Sequence, residues 1–243
     1  MRYHRQYAPL TQMASHRDDL SHVTLVMAGG FLEESSNGSC LVRVGDVLIK
    51  PRDTAHSNHF SHEGAALLCL TFPQIPSEKG ETPQWACLRT ASSMRLALEL
   101  TEAIRHEDEA RIAQGQACLL AEGMGAAQGA KRSAPRWLSR LKDELTESGL
   151  AEVDVASRAE AAGVHPVHAS RLFRRHFGES ITAYAQNQSI RRAMAQFGKK
   201  RRGLGRIAQV AGFYDQSHMC RVFRQQLGLA PGRVQALGEA VAS

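Results

Sequence analysis

No stretch of the 243-residue chain approaches the ~18 consecutive apolar residues that a membrane-spanning helix needs. The polar opening from Met1 to Gln6 is followed by no apolar run of the kind a secretion signal carries. Neither membrane insertion nor secretion is therefore expected, and a cytoplasmic location is. Cysteine is sparse: Cys40, Cys69, Cys87, Cys118 and Cys220 are scattered and odd in number. Such spacing supplies neither a disulfide framework nor a zinc knuckle, so these residues read as reduced thiols. Acidic charge is scarce in the second half alone. Residues 131–243 hold 9 Asp and Glu against 19 Lys and Arg, whereas residues 1–130 hold 15 against 11. The net charge of +6 thus hides an acidic front and a basic back, and a polyanionic partner belongs to the back.

What is present is a pattern written twice. Ala159, Ala162, Gly163 and Val164, followed by Arg171, Phe173, Arg174 and Gly178, recur as Ala208, Ala211, Gly212 and Phe213, followed by Arg221, Phe223, Arg224 and Gly228. The copies lie 49 residues apart at the front and 50 at the back, as expected for a duplicated structural unit. Each copy reads as helix, turn, helix. Asp154 can cap a first helix and Gly163 can end it in a left-handed turn. Pro166 suits the first turn of the next helix, where its missing amide hydrogen costs nothing. In the second copy Gly212 plays the part of Gly163, and Asp215 can cap the following helix.

Leu172, Phe173 and Phe177 mark the buried side of one second helix, and Val222, Phe223 and Leu227 that of the other. The outward positions are His168, Ser170, Arg171, Arg174 and Arg175 in the first, and Gln216, Ser217, His218, Arg221 and Arg224 in the second. Arg forks onto guanine and Gln onto adenine, while further cations neutralise phosphates. A solvated helix face is the plain alternative for either helix alone; the repetition argues against it for both. Between the copies, Ser180 to Phe197 has apolar residues at helical spacing and would span ~27 Å. Equivalent major-groove faces lie ~34 Å apart, so such a helix could hold two reading heads in adjacent grooves. The run Lys199, Lys200, Arg201 and Arg202 stands beside the second head, where phosphate contact is favoured.

These residues resemble the AraC/XylS transcriptional regulators over roughly Arg136 to Leu237. The second copy carries most of the likeness, through Ile207, Ala208, Gly212, Phe213, Asp215, Gln216, Ser217, Arg221, Val222, Phe223, Arg224, Gly228 and Pro231. Arg158, His165, Ser189 and the pair Val234-Gln235 depart from the family pattern. The resemblance implies two helix-turn-helix units joined by a helix, acting on double-stranded DNA, with RNA polymerase a candidate partner for activation or repression. It implies base-edge contacts from Val167, Ser170 and Arg171, and from Gln216, Ser217, His218, Cys220 and Arg221. Phosphate contacts fall to Arg174, Arg175, Arg224 and the Lys199–Arg202 run.

The front half reads as short strands. His22 to Met27 and Leu67 to Phe72 are apolar and β-forming; Ala28-Gly29-Gly30 and Ser35 to Gly38 read as turns; Cys40 to Val44 and Val47 to Ile49 flank Gly45-Asp46. Such spacing suggests a small barrel or sandwich. His22, Gly30-Phe31, Glu33-Glu34, Val44 to Leu48, Pro51, His56, Asn58 and Phe60 resemble the cupin-like sensor half of many such regulators. That resemblance implies a small-molecule effector held in the barrel, with His22, Glu33, His56 and Asn58 as candidate contacts.

His16, His22, Glu33, His56, His59 and His62 could in principle ligate a metal. The His-x-His pair of a metal cupin is absent and His56 and His59 face opposite ways in a strand, so no metal or cofactor is expected. A proline-bearing connection from Pro76 to Pro83 is followed by helices with Leu96, Leu100 and Ile104 in one stripe. In the family these helices commonly form a dimer contact, and packing onto their own barrel is the equal alternative. Gly123 to Pro135 is the linker candidate; Pro135 opens a helix with Trp137 or Leu138, Leu141 and Leu145 inward, and the chain after Pro231 is expected to fray.

The expected fold class is α+β in two domains: 1–128, a cupin-like sensor with its helices; 129–135, a linker; 136–243, a DNA-binding domain. The competing class is a metal-dependent cupin enzyme with a basic helical tail.

Overall fold

A computed structural model describes residues 2–36, 38–72, 85–129, 134–148, 153–197 and 203–242. The Lys199–Arg202 run, the Pro76–Pro83 connection and residues 130–133 of the linker lie outside them.

The fold is α+β, with strands first and helices after. Among the described residues seven strands make one sheet: β1 (Arg2–Tyr7), β2 (Gln12–His16), β3 (Ser21–Ser35), β4 (Gly38–Arg43), β5 (Val47–Lys50), β6 (His56–Phe72) and β7 (Ala86–Leu88). The order is β1-β6-β3-β5-β7, with β2 on β6 and β4 on β3, and every pairing is antiparallel. Ala28-Gly29-Gly30, expected as a turn, instead lies inside the long strand β3. The register of β3 against β6 shifts between Val26 and Ala28 and again between Gly29 and Phe31. A bulge takes up an extra residue without ending the strand, and it moves side chains across the sheet.

Helices α1 (Ala91–Arg105) and α2 (Glu109–Gly129) follow. The buried face of α1 is Met94, Ala97, Leu98, Leu100 and Thr101, whereas Leu96 and Ile104 of the expected stripe are only half-buried. That face is used within the chain, against α2, β3 and β5. Helix α2 runs through Gly129, so the first half of the expected linker is helical rather than irregular.

The basic half contains α3 (Arg136–Glu147), α4 (Val155–Ala161), α5 (Pro166–Phe177), α6 (Ile181–Phe197), α7 (Leu204–Val210), α8 (Gln216–Leu227) and α9 (Pro231–Ala242). Leu138, Leu141 and Leu145 are fully buried, as their spacing requires. The expected fraying after Pro231 is corrected: α9 sinks Val234 and Leu237 into the core and packs against β1 and β6.

Two apolar cores divide this half unequally. Leu138, Leu141, Leu145, Phe173, Ile181, Tyr184 and Ala185 form a small one from α3, α5 and the start of α6. The end of α6, with α7, α8 and α9, instead shares a large core with α1, α2 and the strands, joining Phe223 and Met219 to Leu25, Leu68 and Met94. Helix α6 enters both.

A polar joint reinforces that contact. From α6, Arg191 donates to Val44 O (3.0 Å), Gly45 O (3.1 Å), Arg89 O (2.8 Å) and Asp46 Oδ1 (2.5 Å). Asn187, wholly buried one turn earlier, donates to Arg89 O and accepts from Arg191 Nε. The turn between β4 and β5 can come this close because Gly45 has φ +82° and no side chain. A Cβ there would stand 2.7 Å from Met94 Cε and 3.0 Å from Arg191 Cγ.

Candidate functional site

The two halves of the repeat share their turn glycines and their C-terminal glycine caps, while their N-terminal caps differ. Asp154 caps α4 by accepting from Ser157 N, and Asp215 caps α8 by accepting from His218 N. Gly163 (φ +69°) and Gly212 (φ +83°) occupy the left-handed turn between the helices of each pair, a conformation that a Cβ penalises. Pro166 opens α5, and Gly178 and Gly228 end α5 and α8 with left-handed caps. His165 stands in for a hydroxyl cap, its Nδ1 accepting from Val167 N at 3.3 Å.

The departures from the family pattern are accommodated individually. Arg158 turns outward and donates to Glu144 Oε2 at 2.8 Å, tying α4 to α3. Ser189 Oγ accepts from Arg192 Nη2 at 2.9 Å, and Arg192 also bonds Ala211 O and Thr146 O.

Apolar residues seat the second helix of each pair. Ala169 and Phe173 are buried on α5, with Leu172 and Phe177 half-buried; Met219, Val222, Phe223 and Leu227 are buried on α8. The opposite faces carry the sequence-derived contact residues. Val167, His168, Ser170, Arg171, Arg174 and Arg175 are all exposed on α5. On α8, Gln216, Ser217, Arg221 and Arg224 are exposed, with His218 and Cys220 half-buried. His218 Nδ1 accepts from Tyr214 N at 3.3 Å, so it braces the turn before α8 as well as facing outward. Sequence reasoning missed Tyr214, which is 90% exposed at that turn. An aromatic directly before a capping Asp was its available signal.

Beside α5, Glu179 is half-buried, and desolvation raises its carboxyl pKa to about 7 although Asn187, Arg191 and Lys142 pull it down. Below about pH 4.5 this carboxyl is protonated whether the chain is folded or not. Between that value and about pH 7 the folded state holds the extra proton, so stability falls as pH rises through this window. The loss should be on the order of 2 kcal/mol, at ~1.4 per pH unit discounted for solvent. Glu179→Gln should therefore melt with wild type at pH 4.5 and above it at pH 8. Equal melting temperatures at both values would refute the assignment.

A second group of polar residues meets inside the sheet. Directly opposed residues share a face, and the register opposes Glu33 to Asn58, His22 to Lys50 and His16 to His56. The bulges in β3 explain why His22 and Glu33, an odd number of positions apart, line one cavity of about 40 Å³ together. Asn58 Nδ2 donates to Glu33 Oε2 at 3.0 Å and Trp85 Nε1 to Glu33 Oε1 at 2.6 Å. Lys50 Nζ donates to His56 Nε2 at 2.6 Å and lies 3.5 Å from Asp18 Oδ2 and 3.6 Å from Glu33 Oε2.

Burial, aided by Lys50, pushes the His22 pKa down to about 4 against the pull of Asp18. His56 is lowered by the same two causes. Desolvation alone would raise Asp18, but Lys50 and the surrounding histidines hold it below its usual value. The four effector candidates His22, Glu33, His56 and Asn58 are thus brought together. Asp18 and Lys50 were missed, because nothing in their immediate sequence marks them as inward-facing. His59 and His62 are exposed and outside the group, and His59 lies 3.5 Å from Glu34.

Residues 158–236 match the family described as a helix-turn-helix domain. The arabinose operon regulatory protein of Escherichia coli is 29% identical over 96 residues, covering 40% of this chain and 32% of its own. An uncharacterized HTH-type transcriptional regulator of Escherichia coli is 34% identical over 80 residues, covering 33% of this chain and 28% of its own. The chain spans about a third of the length of these curated relatives. Among solved structures, ToxT of Vibrio cholerae superposes on 98% of this chain and 98% of its own with a TM-score of 0.40 at 8% identity. That superposition is too loose to bear on the topology of the strands. No described helix is long and apolar enough to cross a membrane. Over residues 158–236, which hold both turn glycines and both outward helix faces, the chain is thus similar to helix-turn-helix regulators of the arabinose operon type.

Proposed function

We propose that the protein is a sequence-specific transcription regulator that reads two adjacent major-groove segments of DNA. Two helix-turn-helix units, α4–α5 and α7–α8, are joined by α6, and a small ligand held among the strands controls them. The observation that carries this reading is the pair of equivalent outward faces on α5 and α8. Both are anchored by a buried Phe and both present Arg and hydrogen-bonding side chains. At ~1.5 Å per residue the 17 residues of α6 span ~25 Å, a scale suited to neighbouring grooves.

Within this reading Val167, Ser170 and Arg171 face one groove, and Gln216, Ser217, His218, Cys220 and Arg221 the other. His168, Arg174, Arg175, Arg224 and Lys199, Lys200, Arg201 and Arg202 meet the backbone. Residues 1–128 act as a cupin-like sensor, 129–135 as the connection and 136–243 as the reader. His22, Glu33, His56 and Asn58 contact the effector.

Selection of random duplex DNA by the full chain tests the reading. The expected product is a site with two short elements about one helical turn apart, bound with an affinity that falls steeply with salt. On that site Arg221→Ala should lose ~10- to 100-fold, or ~1–3 kcal/mol, and relax preference at one element. Arg224→Ala should weaken all sequences alike and lower the salt slope by ~1. Enrichment of no site, or an Arg221 variant with unaltered preference, would refute this reading of α8.

A further inference from the structure

We propose that His16, Asp18 and His56, with His22 as a fourth donor, form a site for one divalent transition-metal ion of the zinc type. This deepens the effector reading by naming the ligand class, and it revises the expectation of no metal.

Geometry comes first. The donor atoms of His16, Asp18 and His56 all lie within 4.8 Å of one another. His56 Nε2 and Asp18 Oδ2 are 3.5 Å apart, and His22 Nε2 is 3.6 Å from the same oxygen. Ligands at ~2.0–2.1 Å from a tetrahedral zinc stand roughly 3.4 Å apart, so these pairs already have the required spacing.

Orientation is the second argument. His56 Nδ1 donates to Thr54 O at 2.8 Å and His16 Nδ1 donates to Ala14 O at 2.9 Å. Each backbone carbonyl fixes the tautomer that leaves Nε2 with a lone pair. Metal-binding histidines are held by the same kind of outer hydrogen bond. His16 and His56 are paired in register, which brings their rings to a centroid separation of 4.2 Å.

The third argument is what occupies the centre. The Lys50 ammonium sits 2.6 Å from His56 Nε2 and 3.5 Å from Asp18, so the cluster already coordinates a cation. Glu33, 3.6 Å from the same nitrogen and almost wholly buried, gives the ammonium somewhere to go when a metal takes its place. A cavity of about 40 Å³ suits a partly hydrated ion. Drug-sized organic ligands use ~300 Å³ or more. Imidazole and carboxylate donors together favour zinc, nickel or cobalt over magnesium or calcium.

The test uses untagged, full-length protein stripped with chelator and dialysed against Zn²⁺, with Co²⁺ as a spectroscopic substitute. One ion per chain should be retained, and Co²⁺ should give visible absorption of a nitrogen-ligated centre. Asp18→Asn and His16→Gln should each weaken Zn²⁺ binding by 10-fold or more, and His62→Ala should not. Melting curves show whether these variants remain folded. Lys50→Met separates a metal site from an anion site. Removal of the competing ammonium should tighten Zn²⁺ binding, whereas an anion pocket would lose its ligand.

No retained Zn²⁺ or Co²⁺, or retention indifferent to Asp18 and His16, overturns the site. The effector reading is judged separately, by affinity for the selected DNA with and without Zn²⁺. A bound ion that leaves DNA affinity unchanged keeps the site and removes its role as effector.

Discussion

Arg191→Ala should cost the folded protein ~3–5 kcal/mol, the usual penalty for removing one partner of a buried ion pair. The Asp46 side chain is 2% exposed and that of Arg191 12%. Without the guanidinium, Asp46 keeps the Arg43 amide at 3.0 Å and the more distant Arg89 Nε at 3.6 Å. The carbonyls of Val44, Gly45 and Arg89 each lose a donor in the same step. Truncation therefore leaves a buried charge and several oxygens under-satisfied.

An apolar pair in the same place, Arg191→Met with Asp46→Leu, should restore much of the loss, because neither charge then needs solvation. Thermal melts of the two single variants and the double variant give the coupling directly. A loss below ~1 kcal/mol for Arg191→Ala would mean that apolar contact alone holds α6 to the strands.

Phe173→Ala and Phe223→Ala should both cost ~3–5 kcal/mol in local packing, yet with different consequences. Both rings are fully buried. Phe173 belongs to the small core of α3, α5 and the start of α6, where it meets Phe177 and Tyr184 edge-on at 4.7 and 5.5 Å. Phe223 belongs to the core that continues into the strands.

Loss of Phe173 should open α3 to α5 as a unit of its own while the remainder stays folded, and loss of Phe223 should lower the single transition of everything else. Native-state hydrogen exchange reads the difference. In the Phe173 variant, amides of α3 and α5 should exchange early and those of β3 and β6 should keep their protection. Uniform loss of protection in both variants would show that the two cores unfold together.

Local grammar explains why the helical half was readable before its coordinates. Asp154, Asp215, Gly163, Gly212 and Pro166 each act within a few residues, so their roles survive without knowledge of distant contacts. The inward stripes of α3, α5 and α8 followed from helical period for the same reason. On α1 the expected stripe is one edge of a wider face: Leu100 is buried and Leu96 and Ile104 pack half-buried against the core, while contact with strands, α2 and α8 adds Met94, Ala97 and Thr101.

The strands were harder to read, because a bulge looks like a turn in one dimension. Ala28-Gly29-Gly30 has the composition of a reversal and performs a face change instead. That change gathers the polar cavity, which is why Asp18 and Lys50 were not foreseen beside His56. The Arg191–Asp46 pair spans 145 residues and carries no local signal at all.

Gly45 gives that joint a vulnerable point. Even a methyl group at this position would press on the Arg191 stem at 3.0 Å and hold a φ of +82° that side chains rarely adopt, straining the turn that the guanidinium grips. The outward faces of α5 and α8 and the histidine cavity would both be left chemically intact. A substitution at one small turn would thus loosen the grip of α6 on the strands without touching a residue of either candidate site.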